Sequence, residues 1–441
     1  MVRIGLMSNI IWAANRREFL AGMGLAMLGA IPAARAAAAP AQSLPLRARP
    51  GSLLLWPGQG ETPIWSLEAP SPVLRFKRGS EVDIALQNDL PGPVALNWHG
   101  LDGLSAVAPL SAQPPLAAGT STRFKASLQH AGTLFGDLGL LAQASALPSR
   151  AMPLIVEETE PPQVDRDEVL MIEDFRLRPD GTAVGAGTEP KDASAIYTVN
   201  GLISPDIAVR SNERLRLRLI NACQRHVIAV KIDGLDAWVM ALDSQPAEPF
   251  LARNGAILLA PGGRADAFVD VSLPSGRTPQ MLLHDGKEAR PVARLRIEGE
   301  IARPAPLTPP APLPSNGLPE QLELKGAQRF ELALVGNEWV SPVRFSTSAA
   351  PAFKVRKGRI VVLALVNRAA DATVFHLHGH HFRLLDRLDD GWKPYWLDTL
   401  AIEPGQTQRV AFAAETTGRW LIESTVADWA APKLVRWYSV E

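Results

Sequence analysis

The sequence predicts an all-β protein made of three tandem β-sandwich domains. One observation behind this prediction is a thirteen-residue pattern that occurs three times: FKRGSEVDIALQN at 76–88, VRSNERLRLRLIN at 209–221 and VRKGRIVVLALVN at 355–367. A second observation is a pair of small or turn-forming residues before a later strand of each unit, at 118–119, 261–262 and 404–405. Strand-rich units separated by Gly and Pro are typical of sandwiches with antiparallel sheets.

Each copy of the pattern contains a turn followed by a strand. The fourth residue is Gly79, Asn212 or Gly358, and Gly and Asn are the residues that tolerate a positive φ. The apolar residues that follow alternate with other residues, as in a half-buried strand. In the second copy this alternation predicts one buried and one solvent-facing set: Leu215, Leu217 and Leu219 inside, and Arg214, Arg216 and Arg218 outside.

Shifts in composition predict the domain boundaries. An acidic segment that ends in two prolines lies at 157–162, and a proline-dense stretch lies at 304–319. Such proline-rich segments are extended and semi-rigid. We therefore expect domains at 37–160, 161–303 and 304–441.

Residues 1–36 are predicted to be a twin-arginine export signal. Arg16 and Arg17 precede an apolar run at 21–31, and small residues around 34–36 offer a cleavage site. The apolar run is too short to span a bilayer. The sequence therefore predicts a periplasmic protein, exported by the twin-arginine pathway, with no transmembrane segment after removal of the signal.

Composition excludes several kinds of partner and bond. The chain has 45 basic and 45 acidic residues and a formal net charge of zero, and its basic residues form no cluster suited to nucleic acid. Cys223 is the only cysteine, which excludes a disulfide within the chain. We expect no nucleic-acid partner, and a fold stabilised by packing.

Half of the eight histidines lie in the segment FHLHGHHF at 375–382. His376 and His378 are two positions apart on a predicted strand, so they point to the same face about 7 Å apart. Two imidazoles at this spacing serve two neighbouring ions more readily than one. A similar segment, NWHG at 97–100, follows the first copy of the repeat, with Asn97 in place of the first histidine.

These segments resemble motifs of the multicopper oxidase family with three cupredoxin domains. The resemblance covers nearly the whole chain after the export signal and includes five segments without metal ligands: PPLAAGTSTRF, TVNG, RLRLINA, LLAPGGRAD and DTLAIEPG. It implies that the three domains are cupredoxin-like Greek-key β-sandwiches. It also implies that the histidine motifs of the first and third domains fold together at their interface.

The resemblance further implies that only part of the copper ligand set is kept. His99, His376 and His378 match positions of the trinuclear cluster, whereas Asp137 and Glu423 stand where the family has histidines. Other substituted positions are Asn97, Gly139 and Thr425 in the cluster, and Thr373, Ser424, Trp429 and Leu434 at the type 1 centre. Because a blue-copper centre needs a cysteine thiolate and two imidazoles, the sequence predicts no type 1 copper and a colourless protein.

Two functions remain open from the sequence. The first is a non-redox scaffold or binding protein whose partner is an envelope or periplasmic protein; the resemblance to copper-poor family members, among them a periplasmic cell-division protein, implies this role. The second is a mononuclear metal-binding protein or oxidoreductase. In that case one copper or zinc ion is held by a set of residual side chains: His99, His376, His378, Asp137 and Glu423.

The same five residues have an alternative structural interpretation. The histidines would then be neutral, hydrogen-bonded core residues, and Asp137 and Glu423 would pair with nearby arginines. Isolated histidines elsewhere, His130, His226 and His284, are expected to be structural.

Overall fold

The computed structural model describes residues 42–441 apart from 57, 59, 142–146 and 387–390. The predicted export signal therefore lies outside the described residues. From residue 42 onward the chain belongs to one compact unit. Within the described part, no helix has the length and apolar character that crossing a membrane requires.

The first sandwich contains eight described strands: β1 (Gln42–Leu53), β2 (Thr62–Glu68), β3 (Leu74–Lys77), β4 (Ser80–Asn88), β5 (Asn97–His99), β6 (Ser121–Leu128), β7 (Gly132–Asp137) and β8 (Met152–Glu157). They form two sheets in the orders β2-β1-β4-β6 and β3-β8-β7-β5. The apolar core between these sheets includes Leu44, Val82, Leu134 and Leu154.

The second sandwich contains eleven described strands: β9 (Arg166–Leu177), β10 (Ser194–Val199), β11 (Asp206–Val209), β12 (Arg214–Asn221), β13 (Ile228–Ile232), β14 (Ala237–Leu242), β15 (Gln245–Leu251), β16 (Ile257–Leu259), β17 (Arg264–Asp270), β18 (Gln280–His284) and β19 (Ala289–Ile297). The sheet orders are β10-β9-β12-β17-β14-β15 and β11-β19-β18-β13-β16.

The third sandwich contains nine described strands: β20 (Gln328–Ala333), β21 (Lys354–Val355), β22 (Ile360–Val366), β23 (Thr373–Leu377), β24 (Arg383–Leu384), β25 (Thr399–Ile402), β26 (Thr407–Ala413), β27 (Gly418–Val426) and β28 (Lys433–Val440). The sheet orders are β20-β22-β26-β24 and β21-β28-β27-β23-β25. Four short 3-10 helices complete the described elements: Ser105–Val107, Gly139–Leu141, Arg253–Gly255 and Pro342–Arg344.

The all-β fold class is confirmed, and most strand pairs are antiparallel as expected, although not all of them are. Each described sheet contains one parallel pair: β1/β4, β3/β8, β9/β12, β11/β19, β20/β22 and β21/β28. The reason is that the chain repeatedly changes sheets, so strands that lie side by side are often not joined by a hairpin. Parallel neighbours need such a longer connection.

Each copy of the threefold repeat carries the chain from one sheet of its sandwich to the other. In each copy a short strand ends, the fourth residue makes a turn, and the next strand starts in the opposite sheet. The turn residues have positive φ as predicted: 85° at Gly79, 59° at Asn212 and 78° at Gly358. The turn therefore sets the point at which the chain passes from one sheet of the sandwich to the other.

The asparagine that closes each repeat is buried and makes the same bonds in all three sandwiches. The side-chain amides of Asn88, Asn221 and Asn367 each donate to two backbone carbonyls. Each side-chain oxygen accepts the backbone N–H two residues further on. This is an Asx turn, and it holds the loop that leads to the next part of each sandwich.

The three arginines of β12 are buried, so the prediction that they face water was wrong. Relative exposure is 2% for Arg214, 0% for Arg216 and 1% for Arg218. Arg218 donates to Thr133 of the first sandwich, and Arg214 donates to the carbonyl of Thr308 in the proline-rich segment. The outer face of β12 is thus an interface, and its charges are paired with buried or half-buried carboxylates: Asp270, Asp266, Glu158 and Asp167.

Candidate functional site

The five sequence-predicted site residues converge where the first and third sandwiches meet. In the first sandwich, β5 pairs with β7 so that Asn97 lies opposite Asp137. In the third, β23 pairs with β27 so that His376 lies opposite Glu423. The rings of His99 and His376 are 4.7 Å apart between centroids, so the two pairs of strands build one site.

His99 is held in one orientation by three neighbours. Its ring stacks on Phe135 with centroids 4.2 Å apart, and its Nε2 lies 3.0 Å from Asp137 Oδ2. On the other side Gly262 of the second sandwich approaches so closely that a Cβ there would lie 3.1 Å from His99 Nδ1. Burial lowers the pKa of His99 to about 4, although Asp137 acts in the opposite direction.

His376 is oriented by a short relay of hydrogen bonds. Its Nδ1 lies 2.8 Å from Thr399 Oγ1, and that hydroxyl donates to Asp398 Oδ1 at 2.7 Å. Burial acts to lower the pKa of His376, but the hydrogen bond and negative charge of Asp398 outweigh it, so the pKa is raised. The ring therefore interacts favourably with a carboxylate that is 0% exposed.

His378 and Glu423 form a direct pair. His378 Nε2 lies 2.7 Å from Glu423 Oε1, Asn97 Nδ2 donates to the same oxygen at 3.0 Å, and Lys433 Nζ lies 3.2 Å from Glu423 Oε2. Burial would raise the pKa of Glu423, but Lys433 and His378 hold it well below its usual value. Burial and the neighbouring His376 lower the pKa of His378.

The expectation that Asp137 and Glu423 pair with arginines was wrong. Glu423 pairs with Lys433, and Asp137 accepts hydrogen bonds from His99 and from the backbone N–H of Gly139 at 2.6 Å. Burial would raise the pKa of Asp137, but the hydrogen bond from His99 keeps it lowered. Both side chains are therefore ionised acceptors within the site.

Two features of the site suit a metal ion. Ligand atoms of His376, His378 and Glu423 lie within 4.8 Å of one another, and all three residues are buried. His99 and His376 also line a cavity of about 50 Å³, together with Asp137, Glu423 and other side chains. Buried imidazoles with room for an ion and water are compatible with copper or zinc.

Polar side chains beside the site are engaged with the fold. Ser424 Oγ donates to the carbonyl of Leu334 at 2.6 Å, and Thr373 Oγ1 donates to Asn367 Oδ1 at 2.9 Å. Trp429 packs against the guanidinium of Arg176, with the Arg176 Cζ 4.6 Å from the ring centroid. These residues stand at the positions where the sequence comparison placed type 1 copper ligands.

A second buried polar group lies next to the site, and sequence reasoning missed it. We call it the Arg264 cluster; its members are Arg264, Asp398, Asp243, His381 and Asp102. Arg264 donates to both oxygens of Asp398 at 2.8 and 2.7 Å. His381 contacts Asp102 through Nδ1 and the carbonyl of Asp243 through Nε2.

The Arg264 cluster joins all three sandwiches. Arg264 and Asp243 belong to the second, Asp398 and His381 to the third, and Asp102 to the first. The sequence contained one indication of this cluster: the family-like segments LLAPGGRAD and DTLAIEPG contain Arg264 and Asp398. Nothing in those segments shows that the two residues, 134 positions apart, form an ion pair.

The remaining histidines have local partners. His380 Nδ1 lies 2.7 Å from the Tyr438 hydroxyl, His226 Nδ1 lies 2.7 Å from Asp174, and His130 Nδ1 lies 3.2 Å from Gln245 Nε2. His284 Nδ1 accepts the backbone N–H of Gly286. These contacts are consistent with the structural roles expected for them.

Comparison with known proteins shows similarity to multicopper oxidases. Two sequence profiles described as multicopper oxidase match residues 318–441 and 58–136. Over these two ranges the chain is similar to multicopper oxidases. Its structure is similar to the crystal structure of a multi-copper oxidase from Pseudomonas thermotolerans, with a TM-score of 0.76, 26% identity, and coverage of 91% of this chain and 99% of that one.

The curated proteins that are similar in sequence to this chain include multicopper oxidases and cell division proteins. One is the multicopper oxidase MmcO of Mycobacterium tuberculosis, 22% identical over 420 residues, or 80% of this chain and 78% of the relative. Another is the cell division protein FtsP of Actinobacillus succinogenes, 25% identical over 371 residues, or 75% of each chain. The expected cupredoxin-type architecture is confirmed by the structural similarity to solved multicopper oxidases.

Proposed function

We propose that this protein is an exported, non-redox member of the multicopper oxidase family that serves as a scaffold or binding protein of the cell envelope. The observation that carries the proposal is the chemistry at the matched type 1 positions. Ser424 and Thr373 use their hydroxyls in hydrogen bonds to the fold, and Trp429 and Leu434 offer no ligand atom that suits copper. A blue-copper centre requires a cysteine thiolate and two imidazoles.

Cys223 does not supply the missing thiolate. It lies in the second sandwich, two residues after the buried Asn221, and its Sγ contacts the carbonyl of Ile172 at 3.8 Å. Burial raises its pKa well above the usual value, so the group remains a thiol. The chain contains no other cysteine, and electrons from an external donor therefore have no copper through which to enter.

The proposed location and partner rest on two further observations. The first is the twin-arginine pattern at Arg16 and Arg17. The second is the similarity to proteins named as cell division protein FtsP, 25% and 28% identical. Together they support a partner among the envelope proteins that act in cell division.

A spectroscopic and kinetic experiment tests the loss of redox function. Purified protein is reconstituted with excess copper, freed of unbound metal and compared with an intact multicopper oxidase treated in parallel. We expect no intense blue absorption and no oxygen uptake with a phenolic donor. A blue protein that consumes dioxygen would overturn the proposal.

A genetic experiment tests the scaffold role. In the source cells, deletion of the gene is expected to impair division. The wild-type gene and the variant His376→Gln should both restore division, because a scaffold does not depend on a metal ligand. The double variant Arg16→Lys/Arg17→Lys should not restore it, since the protein would remain in the cytoplasm. Restoration by the wild type alone would argue against a scaffold.

A second candidate function is the binding of one metal ion at the residual histidines. It is favoured by the buried group of His376, His378 and Glu423, whose ligand atoms lie within 4.8 Å of one another. When bound, copper or zinc would act there as a Lewis acid, and these side chains would hold it. Metal analysis of the purified protein tests this candidate: about one ion per chain supports it, and a folded, metal-free protein that takes up no added ion removes it.

A further inference from the structure

A second and larger cavity lies between the first and third sandwiches; we call it the Asp102 cavity. It has a volume of about 570 Å³ and shares no described lining residue with the cavity of about 50 Å³ at His99 and His376. Its walls come from the loop after β5, the end of β6, the proline-rich segment and the loops after β23 and β26. Pockets that bind small organic molecules have volumes of this order. The Asp102 cavity is therefore large enough for such a ligand.

Part of the wall is apolar and comes from three parts of the chain. The first sandwich, the proline-rich segment and the third sandwich supply it through Leu101, Leu104, Leu128, Leu134, Leu318 and Trp396. A ligand with an apolar body gains free energy when it leaves water for such a wall. The wall therefore suits an organic molecule better than a hydrated ion.

Asp102 connects this cavity to the Arg264 cluster. Its Oδ2 contacts His381 Nδ1, whereas its Oδ1 has no hydrogen-bond partner among the described residues. Its side chain is about 10% exposed and lines the cavity. A carboxylate oxygen is a strong acceptor, and one that is nearly buried favours a charged donor. Asp102 Oδ1 is thus an acceptor that a ligand can use.

The Arg264 cluster carries one more negative charge than positive charges. His381 faces an acceptor at each ring nitrogen, Asp102 at Nδ1 and the carbonyl of Asp243 at Nε2, so both nitrogens carry hydrogen and the ring is a cation. Together with Arg264 it makes two cations against three carboxylates. Asp243 and Asp398 each accept hydrogen bonds through both oxygens. The unbalanced negative charge therefore adjoins the cavity at Asp102.

The other two histidines of the wall add no positive charge. Gln245 Nε2 donates to His130 Nδ1, because Gln245 Oε1 already accepts a hydrogen bond from Asn316. His380 Nε2 accepts the backbone N–H of Thr416. A ring nitrogen that accepts a hydrogen bond carries no hydrogen, so both rings are neutral.

Glu415 adds a second carboxylate to the wall. It is exposed, and its side chain has no hydrogen-bond or ion-pair partner within the described part of the chain. None of the described residues that line the cavity is a lysine or an arginine. A cleft lined by charges of one sign concentrates ligands of the opposite sign. The complementary ligand is therefore a cation.

We propose that the Asp102 cavity binds a small organic cation in which an ammonium group is attached to an apolar body. The ammonium group donates to Asp102 Oδ1, and the apolar body contacts the leucines of the wall. An anion would meet two carboxylates, and an inorganic cation would leave the apolar wall uncovered. The inference goes beyond the scaffold role and does not involve the site at His99 and His376.

Probes of equal chain length test the charge and the apolar body separately. Calorimetry on the full-length protein compares octylamine, octanol and octanoate, which differ in the head group, with methylammonium, which lacks the apolar chain. We expect octylamine to bind at least about 10-fold more tightly than each of the others, as one hydrogen bond between charged groups allows. Equal binding of octanol or octanoate would overturn the proposal. Equal binding of methylammonium would overturn the assignment to an organic cation.

Two variants place the probe in the cavity. Asp102→Asn should weaken octylamine binding about 10–100-fold and leave octanol binding unchanged, provided that denaturant unfolding shows a folded protein. Glu415→Gln changes an exposed side chain without a partner, so the fold should be kept, and it should weaken octylamine binding about 2–5-fold. The matched control Glu403→Gln, at an exposed turn of the third sandwich, should have no effect.

The variants also decide against the proposal if it is wrong. A folded Asp102→Asn protein that binds octylamine as tightly as the wild type would overturn it. Equal weakening by Glu415→Gln and Glu403→Gln would overturn it as well, because the effect would then come from the net charge of the protein. If Asp102→Asn does not fold, the comparison of these two glutamate variants decides. Either failure leaves the scaffold function standing, since that function does not use the cavity.

Discussion

Two buried polar regions lie side by side at the joint of the sandwiches, and they differ in how completely they are satisfied. In the Arg264 cluster, Asp398 accepts two bonds from Arg264, and Asp243 accepts the backbone N–H groups of Arg264, Asp398 and Thr399. Both nitrogens of His381 have partners. Around His99 and His376, by contrast, two ring nitrogens and the side-chain oxygen of Asn97 have none within the described structure.

The difference separates a structural network from a binding site. A buried network whose members satisfy one another contributes rigidity, and removing a member leaves an uncompensated charge or dipole. An incomplete network gains hydrogen bonds or coordination when a ligand enters. The two regions should therefore respond to different changes. Mutation or a change of pH in the Arg264 cluster should alter the stability of the fold, whereas the region around His99 and His376 should respond to added metal.

The largest expected effect comes from breaking the complete network. Arg264→Met removes the cation between Asp398 and Asp243, both nearly fully buried. We expect the free energy of unfolding in denaturant to fall by about 3–5 kcal/mol, as when one partner of a buried ion pair is removed. The matched control is Arg49→Met, which breaks an ion pair with Glu68 at a side-chain exposure of about half.

The control should change the free energy of unfolding by less than about 1 kcal/mol. If Arg264→Met were no more destabilising than Arg49→Met, the Arg264 cluster would not be the structural network described here.

The next effect is a loss of stability at alkaline pH. Burial lowers the pKa of His381, but Asp102 raises it more, to about 9 from 6.5. Because the folded pKa lies above the unfolded one, the stabilisation is fully present below pH 6.5 and is lost as pH rises through 9. The difference corresponds to about 3 kcal/mol of unfolding free energy.

Denaturant unfolding measured between pH 6.5 and 9.5 checks this expectation. His381→Gln lacks the ionisable ring, so its stability should fall less steeply over the same interval than that of the wild type. Equal slopes for the two proteins would contradict the assignment of this pH dependence to His381.

A smaller effect is expected from a change at Lys433, in the region around His99 and His376. Lys433→Met removes the ammonium group 3.2 Å from Glu423 Oε2, at the edge of the cavity. We expect the free energy of unfolding to fall by about 1–2 kcal/mol, within the range for a buried acceptor that loses one hydrogen-bond partner, because Glu423 keeps Asn97 and His378. Cu²⁺ should bind more tightly, because a positive charge near the ion is lost.

Lys231→Met, which breaks an exposed pair with Asp233, is the control and should change neither quantity. Weaker Cu²⁺ binding by Lys433→Met would contradict the expected electrostatic repulsion between Lys433 and the ion.

The smallest effect is expected from Cys223. It lines the same cavity, yet its thiol pKa is raised by burial, and only thiolates are good ligands and nucleophiles. Cys223→Ala should change the free energy of unfolding by about 1 kcal/mol or less and leave one equivalent of copper bound. In the folded wild type, a thiol reagent should react far more slowly than in denaturant. If the alanine variant bound no copper, the Cys223 sulfur would be shown to be a ligand.

The sequence by itself determined the features that depend on neighbours along the chain. The turn at Gly79, Asn212 and Gly358 needs only a residue that tolerates positive φ, and the alternation after it needs only the two faces of a strand. The position of His376 and His378 on one strand follows from the same period of two. The family, and with it the meeting of His99 with those histidines, came from motifs that are contiguous in the chain.

Only the tertiary structure decided which charged groups are buried and what they contact. Alternation placed Arg216 on the other face of its strand from the leucines but could not show that another sandwich covers that face. The ion pair of Arg264 with Asp398 spans 134 positions, and the partners of His99 and His376 come from separate strands. Burial and pairing depend on surfaces brought together by folding, so no local pattern encodes whether a buried nitrogen is satisfied or remains available to a ligand.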